Sequence, residues 1–141
     1  MISQLTVFIE NRRGHLASAC RSIADAGINM QALFLADTAD FGIARIFCDR
    51  PEFTAQALKS AGFKAMITPV LAVRIPNRKA SLADLLELLA DDEISTEYGY
   101  CFTINEEYAI NVLKTDDAEA EDRLRQAGYQ IVEAKDVYEL D

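Results

Sequence analysis

Histidine, cysteine and basic residues are scarce in this sequence, and each scarcity removes a class of function. The 141 residues hold one histidine, His15, and three cysteines, Cys20, Cys48 and Cys101, with no Cys-x-x-Cys spacing. An odd, scattered set of thiols is neither a disulfide framework nor a zinc site, and it fits a reducing compartment. Glycine-rich phosphate loops and the Gly-x-Ser-x-Gly nucleophile pattern are missing, so no cofactor and no metal are expected. Lys and Arg total 14 against 23 Asp and Glu, for a formal net charge of -9. That balance argues against nucleic acid and anionic membranes, both of which are held by clusters of Lys and Arg. No apolar run approaches the ~20 residues of a membrane span; the best, Ala65 to Val73, contains Thr68 and Pro69. The opening MISQLTVFIENRR has no basic start followed by an apolar stretch, so no secretory signal is expected and a cytoplasmic location is.

What remains is globular. Half the residues are hydrophobic and 26% are charged. A chain of this length buries roughly 68–70% of its unfolded surface, enough for a real core.

Internal similarity is the strongest signal. Shifting the sequence by 66 positions places Asn11-Arg12 on Asn77-Arg78, Leu16-Ala17 on Leu82-Ala83 and Ala24-Asp25 on Ala90-Asp91. The same shift places Ile28 on Ile94, Leu58 on Leu124 and Ala61-Gly62 on Ala127-Gly128, with no gap. The chain therefore reads as two copies of one unit, 1–68 and 69–141, joined near Pro69.

In the first copy Leu5, Val7 and Ile9 alternate as a strand face, and Leu16, Ala19, Cys20 and Ile23 recur at helical spacing up to Gly27. Ile28 to Ala36 and Ile43 to Cys48 read as strands around a hairpin at Asp37 to Gly42. Pro51 opens a second helix ended by Gly62, and Phe63 to Thr68 is a fourth strand. In the second copy Leu82, Leu85, Leu86 and Leu89 form a stripe, and Ser81 with Asp84 has the spacing of a capping box. Asp116, Asp117 and Glu119 crowd the start of the last helix, with Arg123 and Arg125 near its end, as the helix dipole favours. Each copy is thus β-α-β-β-α-β. The expected fold class is α+β, ferredoxin-like and repeated twice, with antiparallel sheets and the helices on one face. Phe8 and Phe47 fall on the opposite face, and both faces of Ile28 to Ala36 are apolar. Such a surface calls for a second layer, most simply another copy of the chain, so a homodimer is expected.

The three cysteines are expected to be small core residues, and His15 a polar residue of a helix first turn. Acidic pairs such as Asp91-Asp92 and Glu106-Glu107 read as solvated turns. The loop Asn11-Arg12-Arg13-Gly14-His15-Leu16 is different, because it joins a strand to a helix N-terminus. Unpaired N–H groups and the positive dipole end attract a carboxylate there. Gly14 lets a ligand approach the backbone, and Asn11 offers a carbonyl oxygen to an ammonium group. The same residues also suit a plain strand-to-helix turn, with Gly for geometry and Asn for local hydrogen bonds.

The run ENRRGHLASACRSIADAGINMQAL resembles the ACT domain signature, E-N-R/K-P-G-x-L, a helix, then A-G-I-N-I. Two such units in tandem look like small stand-alone ACT proteins, and the resemblance covers residues 3 to 136. It is weaker in the second copy, where PNRKASLADLLELLADDEIS keeps the frame. It implies a non-enzymatic regulatory module that binds a free amino acid where two units lie side by side. Carried over by position, it places ligand contacts at Asn11, Gly14, Leu16 and Asn29, with His15 adding attraction if protonated. One site would combine Asn11, Gly14 and Leu16 with Ser95 and Tyr98; its mate would combine Asn77, Ser81 and Leu82 with Asn29. Arg13 departs from the usual proline, Ala80 stands at the Gly14 position and Ser95 at the Asn29 position, which makes the first site the expected tighter one. Tyr98, Gly99, Tyr100 and Phe102 suit an apolar or aromatic ligand side chain, and suit core packing as well. A second reading is a regulatory subunit that docks on an amino-acid biosynthetic enzyme. A third is an acylphosphatase-like hydrolase, which shares the βαββαβ order and would use Arg12 or Arg13 in the same loop.

Overall fold

A computed structural model describes residues 1–37 and 40–141. The elements run β1 (Ile2–Glu10), α1 (His15–Asp25), β2 (Met30–Asp37), β3 (Phe41–Cys48), α2 (Pro51–Ser60) and β4 (Lys64–Pro76). They continue with α3 (Ser81–Asp91), β5 (Tyr98–Thr103), β6 (Tyr108–Lys114), α4 (Ala120–Gln126) and β7 (Gln130–Ile131), then a 3-10 turn at Ala134–Asp136. The shift of 66 carries both ends of α1 onto both ends of α3, so the sequence repeat is a structural repeat. The hairpin expected at Asp37 to Gly42 has its centre, Thr38 and Ala39, outside the described residues.

The chain divides into two compact units. The first holds Ser3–Thr68 together with Ala134–Asp141, and the second holds Pro69–Glu133 together with Met1–Ile2. Strand order is β2-β3-β1-β4 in the first and β5-β6-β4-β7 in the second. β3 runs antiparallel to both β1 and β2, and β6 antiparallel to both β4 and β5. Strand β4 supplies residues to both units, the fourth strand of one and the first strand of the other. Each unit is the expected ferredoxin-like βαββαβ arrangement.

Alternation along the strands decides what is buried. In the first unit Leu5, Val7 and Ile9 of β1 and Ala44, Ile46 and Cys48 of β3 meet Ala19 and Ile23 of α1 and Ala55 and Leu58 of α2. Strand residues two apart and helix residues three or four apart share a face, which is why these positions converge. The second unit repeats the pattern with Leu71, Val73 and Ile75 against Leu85, Leu89 and Leu124. Leu58 and Leu124, partners under the shift, are both fully buried.

Four expectations need correction. The leucine stripe of α3 splits, with Leu85 and Leu89 buried and Leu82 and Leu86 at the surface, because a stripe that wide exceeds the contact one sheet provides. Cys48 is buried, but Cys101 is exposed on β5, one residue out of phase with buried Tyr100. Asp92 is no solvated turn residue. Arg123 of α4 holds it through two bonds, Nε at 2.7 Å and an Nη at 2.9 Å, pinning the two helices together. Last, Phe47 is covered by the chain itself: Tyr138 lies against it with ring centroids 6.0 Å apart. The Tyr138 hydroxyl donates to the Ser3 carbonyl at 2.9 Å and accepts from the Ser3 N–H at 3.1 Å.

The C-terminal segment also completes α2. Arg50, before the helix, has φ 45° and supplies no side-chain cap. The Asp141 carboxylate takes that place, accepting from the N–H groups of Glu52 at 3.0 Å and Phe53 at 2.9 Å. A capping carboxylate is worth about 1 kcal/mol. Asp141→Ala is therefore predicted to lower stability in urea unfolding by about 1 kcal/mol, and Asp141→Asn by less. Unchanged midpoints in both would contradict the capping role.

Candidate functional site

Both strand-to-helix loops adopt one backbone form. Gly14 has φ 82° and Ala80 has φ 69°, so each helix is entered through a left-handed residue. The Ser18 N–H donates to the Gly14 carbonyl at 2.9 Å, and the Asp84 N–H donates to the Ala80 carbonyl at 2.8 Å. The loops are anchored alike as well. The Asn11 N–H donates to the Asp40 carbonyl at 3.1 Å, and the Asn77 N–H to the Glu107 carbonyl at 2.8 Å. The His15 N–H turns back to the Arg12 carbonyl at 3.3 Å and the Ser81 N–H to the Arg78 carbonyl at 3.4 Å, while the next N–H groups of each first turn have no acceptor within the helix. A Cβ built on Gly14 would meet no atom within 4 Å, so the approach to this backbone is open.

In the first loop, Asn11 and Gly14 are exposed and Leu16 packs against the core. Asn29, exposed, lies ahead of β2 and its carbonyl accepts from the Asp49 N–H at 3.0 Å. His15 has a packing role: its ring stacks on Phe63 at 5.1 Å, and its Nδ1 accepts from the Glu10 N–H at 2.7 Å. The Arg12 guanidinium is held by Glu10 at 2.8 Å.

In the second loop, Asn77 donates through Nδ2 to the Asn105 carbonyl at 3.0 Å. Ser95 is exposed, and its carbonyl accepts from the Thr115 hydroxyl at 2.7 Å. Ser81 and Leu82, consecutive and therefore about 100° apart around the helix, face different cavities. Leu82 and Tyr98 share one of about 470 Å³ between α3 and β5, which also takes in Asn111. Ser81 lines another, of about 580 Å³, walled by Arg74, Arg78, Asp84, Glu107, Tyr108 and Tyr129.

The capping box expected at Ser81 and Asp84 does not form. Ala80 occupies the cap position and places Ser81 one residue inside the helix. Ser81 is 5% exposed and its Oγ has no hydrogen-bond partner. An unsatisfied buried hydroxyl costs about 1–3 kcal/mol. Around it, Arg74 lies over the Tyr108 ring at 3.3 Å and donates to Gln130 Oε1 at 3.2 Å. Burial pushes the Tyr129 hydroxyl above its ordinary value; the charge of Asp84 adds to that and Arg78 opposes it. Sequence reasoning missed this cavity. The signal available was the set of exchanges under the shift, Phe8 to Arg74 and His15 to Ser81.

The sequence matches the family described as the ACT domain pair over residues 1–140. The chain belongs to that family. The ACT pair is also similar to protein BT0572 from Bacteroides thetaiotaomicron, at 32% identity and TM-score 0.91, covering 98% of this chain and 96% of that one. Its fold resembles the regulatory subunit of aspartate kinase from Thermus thermophilus, at 16% identity and TM-score 0.66, covering 89% and 90% of the two chains. The corresponding subunit from Thermus flavus gives 19% identity, TM-score 0.63 and coverage of 89% and 92%. No curated protein matches the sequence at a significant level. Among the described residues of the ACT pair, no helix is long and apolar enough to cross a membrane.

The paired loops carry one stability prediction. A left-handed alanine costs about 1–2 kcal/mol, and the extra unfolded-state freedom of glycine takes back roughly 0.4–1. Ala80→Gly is predicted to raise unfolding stability by about 0.5 kcal/mol. A fall in the urea midpoint would contradict the strain.

Proposed function

We propose that this ACT pair is a non-enzymatic regulatory protein that binds a free amino acid at the start of α1, around Asn11, Gly14 and Leu16. The observation that carries the reading is the Gly14 turn: a left-handed glycine with open space above it, at a helix start where the N–H groups of residues 16 and 17 have no acceptor within the helix. A carboxylate is the group such a helix start accepts, and the regulatory character of the family points to an effector rather than a substrate. Ala80 in the second loop indicates that the turn also tolerates alanine. Gly14→Ala therefore keeps the fold while placing a methyl group in the approach. In a thermal-shift screen of the proteinogenic amino acids, at least one should stabilise the protein, by about 2.7 kcal/mol at a hundred times its dissociation constant. Gly14→Ala should remove most of that gain. Millimolar amino acids that leave the melting transition unmoved would contradict the reading.

A second reading is a subunit that acts on a biosynthetic enzyme. The two similar structures named as regulatory subunits of aspartate kinase favour it. Strand β2 supplies a surface for association, because it ends the strand order of its unit and exposes Leu33, Phe34 and Leu35 at about 40% each. An edge strand with apolar side chains on both faces is a template for pairing. A second copy of the chain is the proposed occupant, giving a homodimer. Light scattering at micromolar concentration should report twice the monomer mass, and Leu33→Lys with Leu35→Lys should return the monomer. A wild-type monomer would contradict dimerisation.

A further inference from the structure

The duplication gives the edge strand β5 an internal reference. The shift of 66 places Leu33 on Gly99 and Leu35 on Cys101. In the first unit Leu33 stands opposite Ile46 and Leu35 opposite Ala44, both of them core residues under the helices. In the second unit Gly99 stands opposite Leu113 and Cys101 opposite Asn111. Residues opposite each other across antiparallel strands share a face, so all four belong to the face that α3 covers. Two leucines have given way to a glycine and a cysteine, and an alanine to an asparagine. What results is the cavity of about 470 Å³ between α3 and β5, with Leu82 and Leu86 on its helix side.

Asn111 is the anomaly in this cavity. It is 2% exposed and sits between Ala109 and Leu113 in a row of core residues. Its Nδ2 donates to Cys101 Sγ at 2.8 Å, and its Oδ1 has no hydrogen-bond partner. Buried carbonyl oxygens nearly always have one, so this oxygen points to a donor that the chain itself does not supply. The sulfur beside it is accessible, for Cys101 is exposed. Cys48 is buried, and that burial pushes its thiol up to about 11, while Cys20 is half-buried on α1.

We propose that Cys101 is a modification site for a low-molecular-weight disulfide whose thiol half carries an N–H or O–H donor a few bonds from sulfur. The Cys101 thiolate, its proton given to water, attacks one sulfur of the reagent. The new S–S bond forms as the reagent's own S–S bond breaks. The bonding pair leaves with the second sulfur, which takes up a proton and departs as a free thiol. One thiol and one disulfide become one mixed disulfide and one thiol, with no further oxidant. Negative charge on sulfur strengthens the bond from Asn111 Nδ2, which holds the thiolate at the cavity. The retained half lies against Leu82, Leu86 and Leu113 and donates to Asn111 Oδ1. In the first unit Leu35 takes the place of the thiol and Ala44 that of the amide, so the reaction belongs to the second unit. It requires no bound amino acid and stands apart from the reading of the Gly14 turn.

The test treats the folded protein with bis(2-hydroxyethyl) disulfide or with dipropyl disulfide and follows adducts by intact-mass spectrometry. A propyl group matches the hydroxyethyl group in size but has no donor. Trypsin leaves the three cysteines on separate peptides, which locates each adduct. The same chain unfolded in urea gives the intrinsic reactivity of each thiol towards each reagent. Wild type is compared with Asn111→Ala, which installs the alanine of the first unit, and with Leu86→Trp, which fills the cavity from an exposed position. Circular dichroism checks folding. In the folded wild type Cys101 should react about tenfold faster than Cys20 or Cys48. Its preference for the hydroxyethyl reagent should exceed that of the unfolded chain by about fivefold. Asn111→Ala should return that preference to the unfolded value, with Cys101 still the residue modified. Leu86→Trp should slow both reagents at Cys101 by about tenfold, and it carries the test should Asn111→Ala misfold. An adduct mainly at Cys20 or Cys48 overturns the site. A preference unchanged by Asn111→Ala overturns the role of its Oδ1, and rates unchanged by Leu86→Trp overturn the cavity as the place of reaction.

Discussion

Everything in each unit hangs on one row of alternating apolar residues, Leu5-Val7-Ile9 in β1 and Leu71-Val73-Ile75 in β4. The central strand is flanked on both sides, so its inward residues receive both helices of the unit at once. Each fully buried leucine or valine contributes about 1.5–3 kcal/mol, and truncating a leucine to alanine costs about 2–5. With strand and helices locked by that contact, the end of the strand and the start of the first helix are held a fixed short turn apart. The left-handed residue at 14 or 80 is the backbone's solution to that turn. It leaves the helix N–H groups facing outward in both copies.

Divergence between the copies then falls where the core does not need agreement. Leu58 and Leu124, or Ile23 and Leu89, keep the same burial. Beside the helix starts, rings in the first copy give way to charges in the second. The two loops are thus alike in backbone and opposite in filling. That difference separates a turn open above its glycine from a turn with a charged cavity alongside.

Much of this was legible in the sequence. The 66-residue register, the order of elements and the inward residues follow from periodicity, which reports local geometry directly. Gly14 marked the turn into α1 in the sequence, but that the same left-handed form recurs at Ala80 is read from the backbone angles. Other features depend on contacts between residues distant along the chain. That Asp141 caps α2 and Tyr138 covers Phe47 links positions about ninety apart, beyond any local pattern. Ser81 carries the spacing of a capping residue, but only the backbone angle of Ala80 shows that it stands one residue too late to cap. Likewise His15 looks like a ligand-facing group until its partners, Phe63 and the Glu10 N–H, are known.

The central proposal is that the start of α1 in this ACT pair holds an amino acid, and the backbone amides there report it most directly. In a ¹H–¹⁵N correlation titration with the amino acid that stabilises the protein best, saturable shifts should centre on the amides of residues 14–18. Spectra that stay unchanged at those amides through millimolar ligand, with any shifts confined elsewhere, would contradict the account.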